Sequence, residues 1–259
     1  MGDLNPRSVL VTGSNRGIGL ELVKQLVGKS NPPEWIFATC RDPEGPRAKD
    51  LKNLAAQHQP RVQIIQLDVS DPSSIKAAAA MITECLNGAG LNLLVNNAGV
   101  VKESNLESET PEQMLEVYNT NVIGPTMMSQ VFLPLLKKAS QECTLKGMSC
   151  SKAAIVNMSS DCGSIANVLA WDIGQIPSYR CSKAALNMLT RCQSLQYAED
   201  KILCIALHPG WLQTDMGNAA IMAPTTVEDG VQEILKRLAQ LSEKETGTFV
   251  NWDGKTLPW

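Results

Sequence analysis

No apolar run in this chain of 259 residues approaches the roughly 18 to 20 needed to span a bilayer, so no membrane association is expected. The start, Met1-Gly2-Asp3-Leu4-Asn5-Pro6, has no basic region followed by an apolar stretch, which argues against a secretory leader. Gly2 would suit myristoylation, but Pro6 stands where that signal wants Ser or Thr. Positive charge is not in excess: 23 Lys and Arg against 26 Asp and Glu leave a net charge of -3. The basic residues are also scattered, so no nucleic-acid partner is expected. There are two histidines, His58 and His208, and the eight cysteines form no C-x-x-C pair and no zinc-like spacing with them. A metal mechanism therefore has no support, and free thiols in a reducing cytoplasm fit these cysteines best. His208 ends an apolar run before Pro209-Gly210 and reads as a structural strand-end residue. Composition shifts, Pro/Gly/Ser linkers and internal repeats are missing too, which leaves one domain over residues 1–259 as the expectation.

What is present is a hydrophobic content of 44%, enough for a substantial core, arranged as an alternation. Short runs rich in Val, Ile and Leu fall at 8–12, 35–39, 62–67, 91–95, 153–158, 202–207 and 248–250, and they predict seven strands. Stretches with helical periodicity lie between them, at 17–28, 47–57, 73–87, 112–138, 178–198 and 227–241. Strands apolar throughout point to a mainly parallel sheet covered on both faces, a doubly wound Rossmann-type α/β fold. Irregular stretches fall at 139–152, 161–177 and 213–226. The first is polar and reads as a surface insertion. The other two follow predicted strands five and six, at the carboxyl ends where open α/β sheets bind ligands.

The first strand runs into Thr12-Gly13-Ser14-Asn15-Arg16-Gly17-Ile18-Gly19, followed by an amphipathic helix. Glycines let the backbone approach a pyrophosphate, and unpaired N–H groups at a helix start bind its charge. The spacing is G-x-x-x-G-x-G, and an ordinary glycine-rich turn is the competing reading. After strand two an NAD enzyme usually places an acidic residue for the ribose 2′-OH. Here the strand closes Ala38-Thr39-Cys40-Arg41, and Arg16 and Arg41 would pair a 2′-phosphate, which favours NADP(H). Arg41-Asp42 also reads as a solvated pair opening a loop. Asp68 and Val69 after strand three would bracket the adenine, although Asp68 would serve equally as a helix cap. Farther on, Tyr179 and Lys183 stand four apart at the start of a predicted helix and share a face. An ammonium beside a phenol favours the phenolate, which would lower the tyrosine from its usual value toward the range useful for proton transfer.

These segments together resemble the short-chain dehydrogenase/reductase family over nearly the whole chain. Thr12 to Gly19, Asn96-Asn97-Ala98-Gly99, Asn121, Ser160, Tyr179 with Lys183, and Pro209-Gly210 occur in that family's order and register. A nearer resemblance, to carbonyl reductases of the sniffer type, rests on Arg41, Pro209 to Met216 and the ending Asp253-Gly254 to Pro258-Trp259. The resemblance implies NADPH-dependent reduction of aldehydes, ketones or quinones. Tyr179 would be the acid that protonates the carbonyl oxygen, and Lys183 would stabilise the phenolate and hold the nicotinamide ribose. Ser160, with Ser159 as the alternative, would hydrogen-bond the substrate oxygen, and Asn121 would hold a water linking Lys183 to solvent. Asn96, Asn97, Ala98 and Gly99 would support the sheet and line the cofactor cleft; Pro209, Gly210 and Thr214 would flank the carboxamide, with Thr214 as a simple helix cap the competing reading. Trp171, Trp211 and Met216 would wall an apolar pocket or anchor its loops.

One departure stands out. From Ser160 to Tyr179 the chain advances 19 positions (179 − 160), more than is usual in that family, and the extra 166–176 contains Trp171 and Asp172. Relatives with a much longer insertion there stay monomeric, so a homodimer through the helices holding Asn121 and Tyr179 is the expectation for this intermediate one. Two other readings stay open: dehydrogenation of a dedicated alcohol or steroid by the same residues, and a regulatory protein that binds NADP(H) with little turnover.

Overall fold

The computed structural model describes residues 3–218 and 222–259. Gly2 and the centre of the 213–226 segment, 219–221, lie outside the described residues. The chain order is β1 (Ser8–Thr12), α1 (Gly17–Val27), β2 (Trp35–Cys40), α2 (Lys49–Gln57), β3 (Val62–Gln66), α3 (Pro72–Leu86), β4 (Leu93–Asn96), α4 (Pro111–Tyr118), α5 (Gly124–Glu142), β5 (Ala154–Met158), α6 (Pro177–Gln196), β6 (Leu203–His208), α7 (Val227–Leu238) and β7 (Phe249–Asn251). All seven strands pair in parallel, in the order β3-β2-β1-β4-β5-β6-β7. The order reverses between β1 and β4, and there the carboxyl ends of the strands open a crevice.

Alternation along each strand divides the core between the two faces. Val9 and Val11 of β1 face Leu22 of α1, Leu51 of α2 and Val231 of α7. Leu10 between them faces the other way, into a cluster with Phe37, Ile75 of α3 and Phe132 of α5. Both faces are covered, which is why the strands read as continuous apolar runs. Side chains such as Phe37 and Phe132, fully removed from solvent, each contribute about 2 kcal/mol or more of hydrophobic stabilisation. No helix among the described residues is long and apolar enough to cross a membrane.

Two departures from the sequence pattern matter for the site. The continuous periodicity over 112–138 hides a break: α4 and α5 are separated by a π-helical turn at Asn119–Ile123 that carries Asn121. Also, α5 runs on to Glu142, so the polar insertion begins only at Cys143. Within that insertion Cys150 is fully buried, and Met148 packs on the core.

Candidate active site

The crevice at the β1/β4 reversal is a cavity of about 1030 Å³. Its lining includes Arg41 and Arg47, Gly13, Asn15 to Ile18, Ala98-Gly99, and Tyr179 with Lys183. The floor follows from local chemistry. Gly13 takes φ +67° and Gly17 φ +54°, and a side chain at Gly13 would meet the Ala98 Cα at 3.1 Å. Only glycine suits both that conformation and that proximity. Gly19 faces the opposite side, toward the strand; a methyl there would stand well inside contact distance of the Gly13 carbonyl and 2.7 Å from Asn97 Nδ2. Its absence lets α1 close on β1.

Helices α3, α4 and α7 begin with side-chain caps, from Asp71, Thr110 and Thr226. Helix α1 starts from extended backbone at Arg16 with no side-chain cap and no acidic residue in its first turn. Its first N–H groups therefore face the cavity without a side-chain acceptor, which suits the pyrophosphate of a dinucleotide. Ser14 is fully buried, its hydroxyl donating to the Val11 carbonyl at 2.8 Å, so it shapes the turn from behind; Asn15 lines the cavity.

Arg16 and Arg41 both line the cavity. Arg16 is ion-paired with Asp215, and both side chains are exposed, so that pair is easily exchanged for a ligand phosphate. Arg47 joins them from a short turn at Pro46–Ala48. The Pro43-Glu44-Gly45-Pro46 stretch signalled that turn, but the return of Arg47 toward Arg41 was not read from it. Asp42 folds over Gly45 within the same loop. Asp68 and Val69 also line the cavity. Asp68 accepts from the Ser70 N–H and hydroxyl, at 2.9 and 2.6 Å, and the cap of α3 is Asp71 instead.

Tyr179, Lys183 and Asn121 are buried. A methyl built on Gly99 would lie 3.4 Å from Asn121 Oδ1 and 3.7 Å from Lys183 Nζ, so the two side chains flank that glycine. Asn121 accepts from the Val100 N–H and donates to the Val100 carbonyl, both at 2.9 Å, and donates to the Ser182 hydroxyl at 3.0 Å. Lys183 Nζ lies 5.4 Å from the Tyr179 ring centre and donates to the Met158 carbonyl at 2.7 Å. The expected lowering of the phenol is not found in this arrangement. Burial raises Tyr179 above its ordinary value, with the Cys162 and Asp161 charges acting in the same direction and the Ser160 hydroxyl opposing them. Burial likewise disfavours the Lys183 ammonium, which is pushed down to about 8. Tyr179 thus holds its proton at neutral pH.

The Ser160 hydroxyl donates to Asp161 Oδ1 at 3.1 Å and accepts from the Cys162 N–H at 3.2 Å. The alternative, Ser159, spends its hydroxyl on Asn187 Oδ1 at 2.6 Å. His208 closes β6 and accepts from the Asp161 N–H at 3.2 Å through Nδ1, in keeping with a structural reading; burial lowers its basicity. Asn96 lies behind the cavity wall, donating to Asn157 Oδ1 at 2.9 Å, while Asn157 donates in turn to Thr190 and Gln193 of α6. Its place is in the sheet-to-helix polar column.

Asn97, Ala98 and Gly99 line the cavity. Asn97 and Ala98 donate their N–H groups to the Thr12 hydroxyl at 3.0 and 2.9 Å, tying the ends of β1 and β4 together. Pro209 and Thr214 line the cavity too; Thr214 Oγ1 accepts from the Gly217 N–H at 2.9 Å, so it also caps its own turn. Gly210, at φ +88°, lets Trp252 pack close, where a methyl would meet the indole at 2.9 Å. Met216 lines the cavity, whereas the Trp211 indole donates to the Gly217 carbonyl at 2.6 Å and anchors that loop.

A carboxylate the sequence did not single out holds the start of α6. Glu109 Oε2 accepts from the Ser178 N–H at 3.0 Å and the Ser104 hydroxyl at 2.7 Å, capping α6 from another element. Burial pushes its carboxyl up, but these hydrogen bonds prevail and hold it below its ordinary value. No local pattern could reveal a cap that arrives from 69 residues away.

A family model described as short chain dehydrogenase matches residues 7–224. Among solved structures, the chain is similar to the NADPH-bound carbonyl reductase from chicken fatty liver: 56% identity, TM-score 0.94, covering 99% of this chain and 100% of that one. It is also similar to the carbonyl reductase Sniffer of D. melanogaster, at 39% identity and TM-score 0.92 over 98% of this chain and 100% of that one. An uncharacterised oxidoreductase of Schizosaccharomyces pombe is 30% identical over 265 residues, 96% of each chain.

Proposed function

From a chain that belongs to the short-chain dehydrogenase family and is an oxidoreductase of that type, we propose an NADPH-dependent reductase of aldehydes, ketones or quinones, acting through Tyr179. The observation that carries this reading is that one dinucleotide-sized cavity is lined both by the buried Tyr179 and Lys183 and by Arg16, Arg41 and Arg47. The chicken enzyme, at 56% identity, binds NADPH, which supports the same cofactor here. These three guanidinium groups suit a 2′-phosphate, and no helix cap competes for the phosphates at α1.

Bound along this cavity, NADPH supplies the hydride that adds to the carbonyl carbon. The protein's part is then proton transfer and charge stabilisation at the carbonyl oxygen. Tyr179 donates its phenolic proton to that oxygen as negative charge develops there. Ser160, whose hydroxyl lies beside the phenol, turns its hydrogen from Asp161 to the same oxygen. The Lys183 ammonium offsets the phenolate that remains, and its hold on the Met158 carbonyl keeps it at the cavity floor. Asn121 has one Oδ1 lone pair left on the Gly99 side, where a water would join it to Lys183 and return the proton from solvent.

To test the reading, the purified protein is incubated with NADPH or NADH and a panel of aldehydes, ketones and quinones, and consumption of the reduced nicotinamide is followed. Turnover with NADPH at a kcat/KM at least about tenfold above that with NADH is expected. No turnover with any carbonyl, or a preference for NADH, would sink the proposal.

A further inference from the structure

His208 closes β6, and its ring reaches the turn that follows β5. Strand pairing holds it from the other side: it lies opposite Asn251 of β7, and its carbonyl accepts from the Trp252 N–H at 2.9 Å. Through Nδ1 the imidazole accepts from the Asp161 N–H at 3.2 Å. That N–H belongs to the peptide joining Ser160 to Asp161, so the bond fixes the plane immediately after the Ser160 Cα. The carbonyl of the same peptide accepts from the Gly163 N–H at 2.8 Å, within the turn itself. His208 is therefore what ties this peptide to the sheet. The contacts continue into the serine, whose hydroxyl donates to Asp161 Oδ1 at 3.1 Å and accepts from the Cys162 N–H at 3.2 Å. Asp161 Oδ2 in turn lies 3.7 Å from His208 Nε2. One imidazole thus stands against both the backbone and the side chain of the residue after Ser160.

The bond depends on the protonation of the ring. A neutral imidazole with its hydrogen on Nε2 accepts at Nδ1, whereas an imidazolium donates from both nitrogens. The charged groups facing the ring are Asp161 after β5, Asp253 after β7 and Lys183 on α6. Asp253 is itself engaged by Asn251 Nδ2 at 2.8 Å and Lys255 Nζ at 3.0 Å. Burial lowers the basicity of His208, Asp161 and Asp253 oppose it, and Lys183 acts with burial; the net shift is downward, so the ring is neutral at neutral pH. In acid, protonation turns Nδ1 into a donor, breaks the bond to the Asp161 N–H and draws the Asp161 carboxylate away from the Ser160 hydroxyl.

We propose that His208 is a positioning residue for Ser160, its imidazole holding the Ser160–Asp161 peptide so that the serine hydroxyl stays beside the Tyr179 phenol. The effect on turnover rests on the carbonyl-reductase reading; the hydrogen bond does not. His208→Asn places an amide oxygen where Nδ1 stands and cannot titrate, and His208→Leu fills the space without an acceptor. With the best carbonyl substrate, kcat is expected to fall about tenfold or more in His208→Leu and to stay within about threefold of wild type in His208→Asn. NADPH affinity is expected to stay within about twofold in both. Wild-type kcat is expected to drop on acidification with a midpoint below the ordinary histidine value, and His208→Asn to lack that limb. A kcat in His208→Leu within about twofold of wild type, an equal loss in both variants, or the same pH profile in wild type and His208→Asn would overturn the proposal. Should His208→Leu fail to fold, the acid limb decides.

Nitrogen NMR reads the hydrogen bond without any substrate. The chain has two histidines, so the His208 signals are those that vanish in His208→Asn. At neutral pH they are expected to show the hydrogen on Nε2 and a bare Nδ1, and in Asp161→Asn the ring is expected to titrate lower still, because a neighbouring negative charge is gone. A ring protonated on Nδ1 at neutral pH would overturn the proposal whatever the protein reduces. A wild-type protein that reduces no carbonyl while its His208 ring carries the hydrogen on Nε2 would defeat the functional reading alone.

Discussion

At the residue scale, the site turns on how burial treats Tyr179 and Lys183. Four-residue spacing on one helix face was legible in the sequence, and so was the chance that the two would interact. The direction of the shift was not, because it depends on how much of each group the fold takes out of water. Burial raises the phenol and pushes the ammonium down to about 8. A lysine with a folded value near 8 carries its proton at pH 7 and has mostly lost it by pH 9. If that charge is what offsets the phenolate, reduction is fastest below about pH 8 and falls by about tenfold per unit above it. A kcat/KM profile flat to pH 10 would contradict the role given to Lys183. In Lys183→Arg, whose guanidinium stays charged throughout, whatever activity remains should lose this alkaline limb.

At the element scale, strands and most helices followed from apolar runs and periodicity because the sheet is covered on both faces. What escaped was set by contacts between distant residues. The π turn that carries Asn121 interrupts a pattern that reads as one helix, and the hydrogen bonds of Asn121 to Val100 and Ser182 give it a tertiary reason. The cap of α6 by Glu109 and the hold of Arg180 on 166–176 are likewise contacts that periodicity does not encode. The packing of α1 on the glycine turn is different, since Gly19 announced it. Adding a methyl there drives α1 from the Gly13 carbonyl. Gly19→Ala is expected to cost about 1–3 kcal/mol of stability, read from the denaturant midpoint, and to weaken NADPH binding because the α1 amides shift with the helix. Unchanged stability and affinity would show that α1 is less tightly seated than its geometry implies.

At the scale of the whole molecule, the strand order β3-β2-β1-β4-β5-β6-β7 brings together residues from the whole chain. Arg16 from the first turn, Asn97 after β4 and Tyr179 on α6 line one cavity because the sheet reverses between β1 and β4. The order of these motifs along the chain pointed to that arrangement, while Arg47 and Glu109 required the folded backbone. The central claim, that this assembly reduces carbonyl groups through the Tyr179 phenol, is tested most directly by one substitution. Tyr179→Phe removes a single oxygen from a buried site and leaves the cavity and the α1 amides in place. With NADPH binding retained, kcat for the best carbonyl substrate is expected to fall by roughly 10²- to 10⁴-fold. A rate in Tyr179→Phe within about twofold of wild type, measured under the same saturating conditions, would contradict the account.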